Sequence, residues 1–183
     1  MTSVFFKKLN RLKEKSGASM VEFTIAMFLF VILVVSGFEF FMMGHKYMTV
    51  SNFANELART ISIQGGIDVR TPNGFQGAGT IHDNYMTASK IMKSVNSLGD
   101  KIGQHPEDIS IKVKYQPEGS DSFVEKVISS GSSIEIPYGN RFEVTVGYLF
   151  KTELLQKVVD INSSYMIERQ KGGISEFEHD YEA

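Results

Sequence analysis

Cysteine is absent from this chain of 183 residues. Disulfide frameworks, thiol nucleophiles and thiolate metal sites are therefore excluded together, although many exported proteins also lack cysteine, so no compartment follows. Tryptophan is missing as well. Charge of one sign is scarce: the net charge is −2, and nothing in that total points to a polyanion as partner. The four histidines, His45, His82, His105 and His179, are scattered, and none stands in an H-x-x-x-H or H-x-x-E-H spacing, so no metal site is expected. No G-x-S-x-G elbow occurs. The pair Gly77-Ala-Gly79 follows no strand pattern and lacks the other glycine and the lysine of a phosphate loop, which makes it a turn. Glu135 and Glu143 fall on strand-like runs where they could form a carboxylate pair, yet charges on a wet sheet face are the ordinary background. Asn162-Ser-Ser164 fits a glycosylation acceptor in form only. These readings leave no catalytic residues, no cofactor, no metal, and no direct contact with nucleic acid.

What the sequence does contain is apolar. Hydrophobic residues make up 42% of it, enough for one globular unit plus an appendage. Phe23 to Phe38, FTIAMFLFVILVVSGF, carries no charge. With its flanks Ala18 to Val21 and Glu39 to Met43 it reaches the roughly 20 residues a spanning helix needs. A transmembrane segment is expected over about residues 19–43. Lys7, Lys8, Arg11, Lys13 and Lys15 all precede this run, and such a cationic flank marks the cytoplasmic side. Residues 1–17 are then cytoplasmic, and everything after His45 is extracytoplasmic. Phe38, Phe40 and Phe41 would sit near the outer interface.

The difficulty is Glu22, a carboxylate in the first turn of the apolar run. A secretory signal peptide cut before Gly37 would gain nothing from it. A plain signal anchor needs only a local reason, and Ser19-Met-Val-Glu22 supplies one, because it fits the S-x-x-E capping box at a helix start. A third reading explains more residues together. Gly17 ends a basic leader, Glu22 stands fifth counting from Ala18, Phe23 follows, and an uninterrupted apolar helix comes next. This resembles the processing site of type IV pilins and pseudopilins, with the G-x-x-x-x-E-F form of the Flp/Tad branch. The resemblance implies that a prepilin peptidase cuts between Gly17 and Ala18, and that Glu22 attracts the N-terminus of a neighbouring subunit during filament assembly.

Beyond the membrane the helix is expected to continue to about Ile63. Tyr47, Val50, Ala54, Leu57 and Ile61 recur at spacings of three and four, which makes one apolar stripe along it. Gln64-Gly-Gly66 stops it, and residues 65–81 read as an extended loop. Asp83 to Leu98 reads as a second amphipathic helix with Gly99 as its stop. After Pro106 the period changes to two: Ile109, Ile111, Val113 and Tyr115 alternate with polar residues, as do Phe142, Val144 and Val146, with weaker runs at Phe123 to Ile128 and Ile134 to Ile136. Glu153 to Val159 reads as a short helix or turn, and Ser163 to Arg169 as a last strand. The expected fold is α+β, a long N-terminal helix packed on a small antiparallel sheet, pilin-like. The domain plan is a basic leader at 1–17, the helix at 18–63, an extracytoplasmic α+β domain at 64–171 and an acidic flexible tail at 172–183.

The C-terminal part adds to the likeness. FEVTVGYLF, then TELLQKVV, then SSYMIERQ with Glu168-Arg169 resembles the close of TadE-like minor pseudopilins, with arginine and acid in reversed order. The resemblance implies a structural subunit of a type IV (Tad/Flp-like) pilus or related apparatus, a single-pass protein of the cytoplasmic membrane. Its implied partners are other pilin subunits, the prepilin peptidase and an inner-membrane assembly platform. The rival is a signal-anchored extracytoplasmic binding module that never polymerises and keeps residues 1–17.

Overall fold

The computed structural model describes residues 2–71, 85–152, 157 and 164–176 of the chain, with the backbone only for residues 2–18. Helix α1 runs over Thr2–Gln64, a stretch without proline. It stops at Gly65, which takes φ 72° and donates its N–H to the carbonyl of Ile61 at 2.9 Å. A left-handed residue just past the last turn is how helices commonly close their final carbonyls. The chain forms two compact units, Met1–Met42 with Lys151–Ser163, and Met43–Phe150 with Ser164–Ala183. In the first, α1 presents apolar side chains almost everywhere. Met20, Phe23, Leu29, Leu33 and Phe40 are all more than half exposed.

The second unit holds the hydrophobic core. From α1 it takes Val50, Ala54, Leu57, Ala58 and Ile61, all buried. Four members of the expected stripe are thus in the core, while Tyr47 is 38% exposed and lies under Arg169. A two-residue strand β1 (Gly66–Ile67) follows. Helix α2 (Ala88–Ile102) is capped by Thr87, whose hydroxyl accepts from Lys90 N, and closes at Gly103 with φ 64°. The second helix therefore starts and ends later than its period suggests. Gly99 does not stop it: that residue is buried within the helix, where a Cβ would come 2.8 Å from the carbonyl oxygen of Gln104.

A 3-10 turn at Pro106–Asp108 leads into β2 (Ile109–Tyr115), then β3 (Val124–Val127), β4 (Ile134–Glu135), β5 (Arg141–Lys151) and β6 (Ser164–Ile174). The larger sheet has the order β3-β2-β5-β6, and β1 and β4 form a separate two-stranded pair. β2 is antiparallel to both neighbours, with Val113 opposite Val144 and Lys126. Alternation does what the period of two requires. Ile109, Ile111, Val113 and Tyr115 are buried, as are Phe142, Val144, Val146, Tyr148 and Phe150, while Lys112 pairs with Glu125 across the wet face at 3.5 Å. The fold is α+β, a long N-terminal helix with antiparallel sheets.

Two strands differ from the sequence pattern. All four residues of β3 are exposed, and it stands at the edge of the sheet with only β2 beside it. β6 continues five residues past Arg169, through Gly172 and Gly173 to Ile174. It is fastened there: Ser62 Oγ donates to the carbonyl of Ile174, and Glu176 N–H donates to the carbonyl of Ser62 at 2.8 Å. Apart from Lys157, the expected turn at Glu153 to Val159 lies outside the described residues, as do most of the loop at 65–81 and residues 177–183.

Candidate functional site

The candidate site is the apolar half of α1 and the residues that open it. One helix among the described residues is long and apolar enough to cross a membrane. The mean hydropathy of its most apolar 18-residue window is 2.5, and 6% of that window is buried. An apolar surface of this length left uncovered needs lipid or other helices around it. The hydroxyls within it do not oppose transfer, because each bonds to its own helix: Thr24 Oγ1 donates to the carbonyl of Met20 and Ser36 Oγ to that of Ile32, both at 2.8 Å. The span is a candidate membrane anchor with the folded domain C-terminal to it.

Gly17, Ala18, Glu22 and Phe23 all lie inside α1. Glu22 and Phe23 are exposed on it. Ser19 and Glu22 therefore do not form a helix start in the full-length chain, where the amides they would cap already lie in the body of the helix. A capping box at Ser19 would require a helix that starts there. At Gly17 the helix is locally weak, since glycine costs about 1 kcal/mol relative to alanine in a helix interior.

Two charges further along α1 are buried. Glu39 and Lys46 are 7% and 9% exposed, and the Lys46 ammonium sits 5.4 Å from the centre of the Phe150 ring. Near this point Arg169 of β6 closes on the helix, with its guanidinium 4.6 Å from the Tyr47 ring centre and Nη2 3.3 Å from Ser51 Oγ. A cation stacked on an aromatic face in a partly buried position is worth roughly 1 kcal/mol or more. In sequence Arg169 belongs only to a family-like ending and Tyr47 to the core stripe, and no local signal joins them, since the clamp forms between residues 122 apart.

The second unit carries a groove and two titratable groups with shifted pKa among its described residues. A groove of about 360 Å³ between α1 and α2 is lined by Phe53, Leu57, Met86 and Leu98, with Glu56 and Lys101 among its polar residues. Glu135 and Glu143 are on different sheets and form no pair. The Glu135 carboxyl is held above the usual range by burial first, and then by Glu118 and Asp68. The Tyr148 phenol is pushed up to about 12 by burial, and its hydroxyl has no partner among the described residues. No group of His, Asp and Glu among the described residues could hold a metal ion.

Residues 17–59 match the family model of TadE-like proteins. The matched segment begins at the candidate cleavage glycine and takes in Glu22, Phe23 and the whole apolar run. No curated protein and no solved structure matches the chain.

Proposed function

We propose that this chain, with its TadE-like N-terminal segment, is a minor pseudopilin: a structural protein made as a precursor, cut after Gly17, and assembled through α1 into a Tad/Flp-like pilus or related apparatus. The observation that carries the reading is Glu22, exposed at the head of an uncovered apolar helix within the segment that matches the family. A lipid-facing carboxylate costs roughly 3 kcal/mol on insertion scales, so it calls for a cation. The ammonium created at Ala18 supplies one. Residues 1–17 lie in the cytoplasm and the α+β domain outside it, as the basic leader directs. Partners on this reading are other pilin subunits, the prepilin peptidase that recognises Gly17 to Phe23, and an assembly platform in the inner membrane.

The subunit itself is proposed to be non-enzymatic, its part being to pack and position. The role is minor because a sizeable sheet domain follows the helix, whereas major subunits of this branch are nearly all helix. The test is replacement of Gly17 by valine in the native host. The variant should remain at full length in the membrane and be absent from sheared surface filaments. A Gly17→Val chain that is shortened and assembled normally would remove cleavage from the account.

A further inference from the structure

The groove between α1 and α2 lies wholly within the second unit, since every residue lining it falls between Thr49 and Lys101. Two polar contacts fix its direction. At the end of α1, Gln64 Oε1 accepts from Met86 N at 2.8 Å, just before α2 begins. Past the other end of α2, the Gln104 amide, turned so that its oxygen accepts from Lys46 Nζ at 3.2 Å, donates to the carbonyl of Leu149 at 3.1 Å. The two helices therefore run antiparallel. Lys101, a turn before Gln104, stands near the level of Thr49, and Glu56 lies about 10 Å further along α1 at 1.5 Å per residue. Both line the groove, so opposite charges mark its two ends.

Between those ends the floor is apolar. Leu57 and Leu98 are buried, and Phe53 and Met86 are partly buried against the core. The rim is polar and uncommitted. Thr49 Oγ1 and Ser94 Oγ donate to their own helices and keep lone pairs for an incoming N–H. Among the described residues the side chains of Asn52, Ser97, Glu56 and Lys101 have no hydrogen bond or ion pair. A volume of about 360 Å³ suits a small ligand, and an apolar floor with a few polar groups is how such sites are built. The charges say which ligand. A polyanion would be opposed by Glu56 and a polycation by Lys101, whereas a molecule with a cation at one end and an anion at the other meets both. An extended peptide spans about 3.5 Å per residue, so three residues cover the distance between the two charges.

We propose that this groove binds a short peptide of about three residues with free termini, its ammonium at Glu56, its carboxylate at Lys101 and an apolar central side chain on Leu57 and Leu98. Asn52 and Ser97 hydrogen-bond the peptide units between. Binding here needs neither cleavage after Gly17 nor assembly into a filament, so its failure and theirs are separable.

The probe is the tripeptide Ala-Leu-Ala, titrated by calorimetry into the full-length chain held in lipid nanodiscs. It should bind saturably at one site. N-acetylation or C-amidation of the peptide should each weaken binding at least fivefold, the loss of one charge-assisted bond at a partly solvated rim. Glu56 and Lys101 are exposed, so replacing them leaves the core intact. Glu56→Gln should weaken the free peptide as much as acetylation does and leave the acetylated peptide unchanged. Lys101→Gln should do the same with the amidated peptide, and these two cycles assign each terminus to its residue. No saturable binding at millimolar peptide, equal binding of the capped peptides, or wild-type affinity in both variants would overturn the proposal.

Discussion

Removing the Glu22 carboxylate separates two roles that both place it at the head of the span. If the group is merely tolerated, Glu22→Ala lowers the cost of insertion by roughly 3 kcal/mol, and every later step should proceed at least as well. If it is an assembly group, insertion is preserved and incorporation falls. After a cut behind Gly17, the ammonium of Ala18 lies four residues from Glu22, about 6 Å along the helix axis. Two unit charges at that separation attract by about 3 kcal/mol at an effective dielectric of 20, and by about 0.7 kcal/mol in bulk water. A neighbour's ammonium drawn to about 4 Å is worth roughly 4 kcal/mol at the same dielectric. The gain on exchanging the internal partner for the external one is thus about 1 kcal/mol, rising toward 4 kcal/mol where the internal pair is weak. This corresponds to between about 5-fold and 1000-fold in the equilibrium for adding one subunit. The assay is the ratio of this chain in sheared filaments to that in membranes, for wild type, Glu22→Gln and Glu22→Ala. Membrane levels should hold or rise, and the filament ratio should fall at least fivefold in both variants. Wild-type incorporation of Glu22→Ala would refute the charge argument and leave Glu22 a helix cap. Wild-type incorporation of Glu22→Gln alone would show that hydrogen bonding, not charge, is what matters.

Three further predictions concern the folded domain. Tyr148→Phe removes a buried hydroxyl that has no partner among the described residues, so thermal unfolding of the detergent-solubilised chain should be unchanged or shifted upward, by about 1 kcal/mol at most. The raised Glu135 carboxyl means the folded state binds its proton more readily than the unfolded state. The ionised group therefore costs stability, and that cost appears as pH rises through the interval above the ordinary glutamate value. Glu135→Gln should accordingly stabilise modestly at pH 7 and not at pH 4, a difference that denaturant midpoints at the two pH values would show. Gly66 holds φ 146° and a Cβ there would overlap the carbonyl oxygen of Ile134, so Gly66→Ala should separate β1 from β4. An expected loss of about 3 kcal/mol from backbone strain and the broken pair is readable as a lower denaturation midpoint.

Much of this fold is legible because its periods are clean. Ile109 to Tyr115 alternate without interruption, and every apolar member is buried. Val50, Ala54, Leu57 and Ile61 keep helical spacing and all reach the core. The misreadings fall on residues whose role depends on a distant neighbour. Gly173 looks like a breaker, yet β6 continues through it, and glycine leaves room there for the ring of Phe142, which a Cβ would meet at 2.5 Å from Cζ. Gly66 looks like loop, but its open conformation lets Ile67 lie opposite Ile134. Tyr47 fits the apolar stripe by spacing and is drawn to its rim by Arg169, 122 residues away in sequence. The site itself is local. Gly17, Glu22 and Phe23 are readable as a pattern, since the role proposed for them depends on spacing along one helix rather than on convergence of remote segments.

The most direct test of the central claim is the N-terminal sequence and intact mass of the protein extracted from its native membranes. The account predicts a chain that begins at Ala18. A chain that keeps Met1 to Gly17 would contradict it and leave a membrane-anchored domain, and a chain that begins at Gly37 would make it a secreted one.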